Sequence, residues 1–473
     1  MRTLIWFRND LRIEDNPAVH AAARRGTEGT LAVFFITPAQ WNRHGWGSPK
    51  VSFTLDCVKA LHHELESHGI PLIVRSVPHF SDISGVIHHL AERYQCSEVH
   101  VNKDVGIDET NRDTLVSEFL DQHDIKMVSH EGNSILPPKL IRTGTGGPFS
   151  VYTPFRKKWE LHLREAGLPD PRPLQVHTRL KPLREPLPHR ISEYPDWDQR
   201  SRWQGGSKAA MERFHQFLEE PIEDYHTNRD YPAIDGTSCL SPWLASGAFS
   251  SRTGIRTLIQ KHGLDFDSWP QGPRTWLNEI IWREFYRHVM VSFPALSRDE
   301  PLQKWTELVP WRDDPHSFTA WCEGRTGVDI VDAGIHQMLQ TGWMHNRVRM
   351  IAAMFLTKNL LIDWRLGERF FARHLVDYDF ASNNGGWQWA ASTGTDAAPY
   401  FRVFNPERQT ENWDSEHAYL ETWLPRAPGS LEPIVDLSTS RQRAIDAFKT
   451  ARTEYEHDHT EIPALFTPAL ASA

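Results

Sequence analysis

Between Asp377 and Asn405 the chain reads DYDFASNNGGWQWAASTGTDAAPYFRVFN. Two carboxylates (Asp377, Asp379), two adjacent amides (Asn383, Asn384), a Gly-Gly pair and two indoles (Trp387, Trp389) fall within thirteen residues. No amphipathic spacing explains them, so the stretch reads as a loop built round a glycine turn. Indoles are bulky and amides costly to desolvate, and burying both together makes sense where something flat with polar edges is held. The plain alternative is a buried loop whose tryptophans are core and whose Asn383 and Asn384 cap a turn or helix. Eleven of the nineteen tryptophans lie between Trp243 and Trp389, a density beyond ordinary core needs, which favours a ligand.

Three more segments bear chemistry. WLNEIIWREFYRH, residues 276–288, puts Trp276, Glu279 and Arg283 on one helical face, with Trp282 three from Glu279 and four from Tyr286. A Glu–Arg pair at that spacing is often surface electrostatics. A carboxylate beside an indole also suits the reading of an extruded base, the ring stacking and the carboxylate accepting from the base edge. In WMHNRVRM, residues 343–350, Trp343, Asn346, Arg347 and Met350 form one helical stripe, and an arginine and an asparagine are foreign to a core stripe. GTSCLS, residues 236–241, offers the hydroxyls of Thr237, Ser238 and Ser241 ahead of a helix, as an N-cap or as a pyrophosphate cradle.

These residues need scaffolding, and 473 residues suffice for two or three domains. Apolar runs at Leu4–Phe7, Leu31–Phe35, Leu72–Arg75, Val99–Asn102 and Met127–His130 read as strands. Helical patterns near Val51–Ser67, Asp82–Tyr94 and Thr110–Gln122 alternate with them, which predicts a doubly wound parallel α/β domain over residues 1–131. The first strand runs into WFRNDLR rather than GxGxxG, against a plain dinucleotide-binding dehydrogenase. Residues 132–206 read as a connector: TGTGGPF (143–149) is a turn, and seven prolines lie between Pro169 and Pro195. Tyr152–Glu160 is expected as the first helix after the sheet. From Ser207 to the end helical periodicity dominates, predicting a large all-α domain.

Composition excludes several classes. Hydrophobic content of 39% and charged content of 24% fit a soluble globular chain, and no apolar run reaches the ~18 residues of a membrane span. MRTLIWFRNDLR lacks the apolar centre of a signal peptide, so a cytoplasmic location is expected. Cys57, Cys96, Cys239 and Cys322 are far apart and read as reduced thiols; His62-His63 and His88-His89 lack HExxH spacing, so no metal site is expected. The net charge is −9, yet residues 411–473 hold 11 acidic and 5 basic side chains, a net of −6. The rest is close to neutral and can carry a local basic patch for nucleic acid.

The Asp377–Asn405 segment closely resembles the flavin-binding core of the photolyase/cryptochrome family, and is similar almost residue for residue to bacterial class I cyclobutane pyrimidine dimer photolyases. The resemblance runs over nearly the whole chain. It implies light-driven repair of UV-damaged DNA by a monomer carrying FAD. The implied FAD contacts are Tyr225, Thr237, Ser238, Cys239, Leu240, Ser241, Trp276, Glu279, Arg283, Asn346, Arg349, Asp377, Asp379 and Asn383. Arg349 would pair with Asp377, and Asn383 would face the central-ring nitrogen. A dimer pocket is implied at Glu279, Trp282, Arg283, Asn346, Met350 and Trp389, with Arg347 as a phosphate anchor. Trp387, Trp364 and Trp311 match an electron relay.

WFRNDLR looks like the opening of the family's antenna domain. His44, Asp108 and Glu109 match positions that hold methenyltetrahydrofolate, carboxylates being apt partners for pterin N–H groups; 8-hydroxydeazaflavin is the other option. Asp108 stands where asparagine is usual, and Ser297-Arg298 where a cysteine-lysine pair is. The paired histidines of (6-4) photolyases are absent, Met344-His345-Asn346 standing there instead. A signalling cryptochrome is the alternative reading, disfavoured by Asn383, where plant cryptochromes place aspartate, and by the Glu279/Trp282/Trp389 set.

Overall fold

The computed structural model describes the chain except residues 170, 172, 184 and 460–473; the end of the helical domain expected over 207–473 thus lies outside the described residues. Strands β1 (Arg2–Phe7), β2 (Thr30–Ile36), β3 (Leu72–Ser76), β4 (Cys96–Asn102) and β5 (Lys126–His130) form one parallel sheet in the order β3-β2-β1-β4-β5. In β1, Leu4 lies opposite Leu31 on one side and Val99 on the other. All of β2, and all but the first residue of β1, is buried, as expected of a parallel sheet covered on both faces. Its helices are α1 (Pro17–Arg25), α2 (Pro38–Arg43), α3 (Ser48–Ser67), α4 (Ile83–Tyr94) and α5 (Ile107–Asp121).

Every expected strand is present. Helices α1 and α2 were not anticipated, although α1 carries a local signal: Pro17 opens it and the Asn16 side chain accepts from Val19 N at 3.3 Å.

The connector is less uniform than its prolines suggest. Residues around Leu180 do lie along the sheet domain, with Leu180 N donating to Gly69 O at 2.8 Å and Arg75 paired to Glu185 at 2.6 Å. Yet α6 (Tyr152–Ala166) belongs physically to the helical half, because Phe155, Trp159 and Leu163 share one face and bury it against the long helix α11.

That half continues as α7 (Ser207–Glu219), α8 (Tyr225–Asn228), α9 (Ser241–Ser246), α10 (Ser251–His262), α11 (Gln271–Ser292), α12 (Pro315–Cys322) and α13 (Asp329–Thr341). Then follow α14 (Asn346–Met354), α15 (Trp364–His374), α16 (Phe380–Ala391), α17 (Pro406–Trp413), α18 (Ala418–Trp423) and α19 (Leu437–His459).

The part of the Asp377–Asn405 stretch that holds the Gly-Gly pair, expected as a loop round a glycine turn, is helix α16, and the segment after Ala391 is non-helical. Asp379, not Asn383 or Asn384, is its cap, accepting from Ser382 N at 3.0 Å. Gly385 sits mid-helix: a Cβ there would stand 2.2 Å from the Tyr286 ring, so the glycine permits α16 to press onto α11 rather than turn the chain. One core runs from Phe7 and Phe34 of the sheet through Phe53 and Leu61 of α3 to Phe214, Trp276 and Phe285. The two halves are therefore packed as one body, and a second core around Trp321, Trp364 and Trp387 fills the helical half.

A buried carboxylate ties the connector to α11. Glu284 Oε1 accepts from Ile135 N at 2.8 Å and Leu136 N at 2.9 Å, and His288 lies 3.3 Å away. Removing it strands two buried N–H groups, so Glu284→Ala is expected to cost about 3 kcal/mol, read as a lower denaturant midpoint, and Glu284→Gln less.

Candidate functional site

Helices α11 and α16 cross at Tyr286 and Gly385, and the residues flanking that crossing form the site. On the inner side, Arg349 Nη2 donates to Asp377 Oδ2 at 2.8 Å, the pairing the resemblance implied. The other Asp377 oxygen is buried and meets no protein donor. Asp379 faces Arg287 at 3.3 Å and Arg283 at 3.6 Å. Burial alone would push its carboxyl up; Arg283, Arg287 and the Ser382 bonds more than reverse this and hold it at about 2. Lys50 of α3, also fully buried, has an ammonium with no hydrogen-bond partner; burial pushes it down to about 8 against the pull of Asp379, Cys57 and Asp377.

Asn383 gives its side-chain N–H groups to Glu368, at 2.8 Å to Oε1 and 3.1 Å to the backbone oxygen. Its side-chain carbonyl oxygen takes no hydrogen bond from the described residues. Glu368 was not singled out from the sequence. Burial pushes it up to about 7, with the Asn383 amide opposing.

The phosphate-loop candidate is a compact turn ahead of α9. Arg213 donates to the backbone oxygens of Ser238 (3.0 Å) and Thr237 (2.8 Å), Cys239 adopts φ 49°, and the Thr237 hydroxyl lies 3.3 Å from the Cys239 sulfur. Leu240 is buried beneath, and Ser241 Oγ accepts from Trp343 Nε1 at 3.3 Å. Tyr225 is buried beside Phe217. Trp276, expected to share a working face with Glu279 and Arg283, is instead core, 2% exposed and packed on Phe214, Phe217 and Gly254. Its volume locks α11 against α7 and α10, and only the other two residues reach the site.

On the outer side, Glu279 and Trp282 of α11 and Trp389 of α16 are half-buried. Gly386, exposed on the α16 face that carries Trp389, would place a Cβ in open space. Glu279 Oε1 is 2.5 Å from Arg229, a partner the sequence reading missed although Asn-Arg-Asp follows closely on Tyr225. The expected stripe from Trp343 to Met350 is broken, because α14 starts only at Asn346, capped by His345, and Trp343 lies outside it. Asn346 and Met350 remain neighbours, amide to sulfur 3.9 Å. Arg347 points elsewhere: it pairs with Asp230 at 2.6 Å and lies over the Trp413 ring.

Trp387 and Trp364 are buried in the second core, Trp387 against Gly367 of the Trp364 helix, while Trp311 is half-buried on the flank of that core. Of the three, Trp311 alone is partly exposed.

A separate cavity of about 580 Å³ opens between the halves, at the carboxyl ends of β1, β4 and β5 where doubly wound sheets bind ligands. His44, Asp108, Glu109, Ser297 and Arg298 all line it, and Lys50, Arg283 and Asp379 close its inner end. His44 lies 3.1 Å from Asp108 and 3.4 Å from Glu109. Burial pushes the Glu109 carboxyl up, opposed by His44 and Arg112. Among the described residues one trio, His62, His63 and Glu66 on α3, lies close enough to share an ion.

The architecture and these residues have counterparts. A family model described as the FAD binding domain of DNA photolyase matches residues 276–430, and one described as DNA photolyase matches residues 3–175. Deoxyribodipyrimidine photo-lyases of Salmonella typhimurium and Escherichia coli K12 are each 38% identical over 471 residues, spanning 95% of this chain and 98% of theirs. The chain belongs to the DNA photolyase family. Among solved structures, a class III photolyase from Agrobacterium tumefaciens superimposes with TM-score 0.84 at 31% identity, covering 96% of this chain and 98% of that one. A Synechocystis cryptochrome gives 0.83 at 26%, covering 94% and 99%. The photolyase resemblance expected from the Asp377–Asn405 segment thus holds across both halves. Among the described residues no helix is long and apolar enough to cross a membrane.

An unpaired buried acceptor on Asp377, fixed guanidinium groups at Arg283 and Arg349 and the free Asn383 carbonyl fit the N–H and carbonyl edges of a flavin. Glu368 provides a pH test. Its neutral form is favoured by the fold, so its contribution is full below the unfolded carboxyl range and is lost as pH rises through about 7. Glu368→Gln is expected to raise Tm relative to the parent at pH 8 but not at pH 4, the difference approaching about 3 kcal/mol in denaturant titrations.

Proposed function

We propose that this photolyase family member splits cyclobutane pyrimidine dimers in DNA under light, using FAD. The observation that carries the reading is the pair of helices α11 and α16, which bring Glu279, Trp282 and Trp389 to one side of their crossing and the Asp377, Asp379 and Asn383 set to the other. FAD, when bound and reduced, supplies the light-excited electron that opens the dimer ring. The chain's residues bind, orient and exclude water. Asp377 would accept from a ring or adenine-side N–H while Arg349 holds its other oxygen in place, and Asp379 with Arg283 would hold the polar edge beside it. Asn383, its N–H groups spent on Glu368, would offer a carbonyl to the central-ring N–H of the reduced flavin. Tyr225 and the Thr237–Ser241 turn would carry the phosphates.

On the outer side, Trp282 and Trp389 would wall an extruded dimer and Glu279 would accept from its base edge, oriented by Arg229. Extruding a dimer costs less than extruding a sound pair because its pairing is already damaged. Trp387 and Trp364 are buried and Trp311 is partly exposed, so a path through the three would open to an electron arriving from solvent at Trp311. The interdomain cavity would seat the antenna. Arg298 on the cavity lining could pair with a folate's carboxylate tail, which favours a methenyltetrahydrofolate over a deazaflavin. A signalling cryptochrome gains no support from the site, since the Asn383 amide and the two outer tryptophans are retained.

Near-UV or blue light is expected to remove thymine dimers from duplex DNA in the presence of the reduced holoprotein. An unchanged dimer count would leave only the signalling reading. Glu279→Ala should lower repair yield about fivefold, the scale of one charge-assisted hydrogen bond, with flavin absorbance retained. Trp311→Phe should remove most photoreduction of the oxidised protein and spare repair by chemically reduced protein; equal loss of both would contradict a relay.

A further inference from the structure

Trp282 does not stand alone. The ring of Tyr152, the first residue of α6, lies flat against its indole, centroids 3.6 Å apart and planes 5° off parallel. Full-face stacking with little offset is not the arrangement two aromatic rings choose freely, because their negative faces repel. Something must hold it, and three contacts do. The Tyr152 hydroxyl donates to the backbone oxygen of Asn278 at 2.8 Å, one turn before Trp282 on α11. Phe285 packs edge-on against the Tyr152 ring at 5.9 Å. The Tyr152 backbone N–H donates to Asp396 Oδ2 at 3.2 Å.

The last contact reaches the other side of the pocket. Asp396 lies in the turn that follows Trp389, and that turn is bound back to α16 by Ala398 N donating to Trp389 O at 3.3 Å. Thr395 adds a hydrogen bond from its hydroxyl to Ser150 O, two residues before α6 begins. The N-terminus of α6 therefore grips both walls at once, Trp282 through the ring and the Trp389 turn through the backbone. Tyr152 itself is buried, 7% exposed, and points no group at a ligand.

We propose that Tyr152 is a positioning residue for lesion recognition: it sets the plane of Trp282 and ties that plane to the turn behind Trp389, so the gap between the two indoles is fixed before DNA arrives. The inference rests on the reading of Trp282 and Trp389 as walls of the dimer pocket. Preorganising an aromatic wall sharpens discrimination between a flat extruded dimer and ordinary duplex, and leaves general phosphate binding alone.

The test compares binding of the FAD-loaded protein, in the dark, to a duplex carrying one thymine dimer and to the same duplex undamaged. Tyr152→Leu should weaken dimer binding about tenfold, the scale of one lost base–aromatic stack, and leave undamaged-duplex binding and flavin absorbance at parent values. Tyr152→Phe keeps the stack and the backbone clamp and should recover affinity to within about threefold. Asp396→Ala cuts the clamp without touching the rings and should weaken dimer binding by itself. Trp282→Ala should weaken it too, and Tyr152→Leu added to Trp282→Ala should change little further, because the two act through one contact. Equal losses for both duplexes, or full additivity on Trp282→Ala, would overturn the proposal. A Trp282→Ala protein that still prefers the dimer would instead bring down the pocket reading, and this inference with it.

Discussion

The crossing of α11 and α16 is the constraint on which the site depends. It is close because Gly385 has no side chain where Tyr286 lies, and it is oriented because Asp379, capping α16, faces Arg283 and Arg287 of α11. A buried carboxylate between two guanidinium groups is tolerable only when its oxygens are satisfied, and the Ser382 N–H and hydroxyl complete the set. One residue thus caps a helix, sets the angle between two helices and fixes the charge at the centre. A side chain at 385 would lever the helices apart and move Asn383 and Trp389 with them.

The sheet domain is not an appendage to this centre. Lys50 of α3, without a direct partner, feels the pull of the same carboxylates, and a continuous core joins the sheet to α11. Arg12 donates to Gly247 O at 3.0 Å and Arg252 to Asp15 at 2.9 Å, so loops from each half are stitched by buried guanidinium groups. The cavity that holds His44 and Glu109 consequently ends at Arg283 and Asp379. Geometry of this kind would keep a ligand in the cavity at a set distance from one beyond Asp379.

The sheet was legible because parallel strands buried on both faces leave unbroken apolar runs, and all five expected runs are strands. Residue types in the site were legible as well, since Arg349–Asp377 and His44–Asp108–Glu109 meet as the resemblance implied. What escaped was context. Gly-Gly reads as a turn unless the tyrosine ring that fills its space is known, and that ring belongs to a helix about a hundred residues away in sequence. Trp276 has the right spacing for a working face, but spacing cannot say whether the face turns to a cavity or to Phe214. Arg229, Glu368 and Tyr152 were missed because each acts through another residue, and such partners leave no local pattern.

The ion pairs also sort the cations by what they are free to do. Arg349 is bound to an Asp377 that is 2% exposed, and parting them would leave a buried charge uncompensated, at a cost of several kcal/mol. The difference lies in the carboxylates, since Arg349 is 25% exposed against 18% for Arg347: Asp230, 24% exposed, can be solvated when its partner leaves, and Asp377 cannot. A phosphate would part Arg347 from Asp230 more readily than Arg349 from Asp377. The inner cations are therefore fixed parts of the frame and Arg347 is exchangeable, a division that suits a permanent cofactor inside and a transient polyanion outside. It also reconciles an acidic chain with a polyanionic partner: a cation paired to a solvent-accessible carboxylate, as Arg347 is, would become usable where a phosphate displaces that carboxylate, so the net charge says little about any one face.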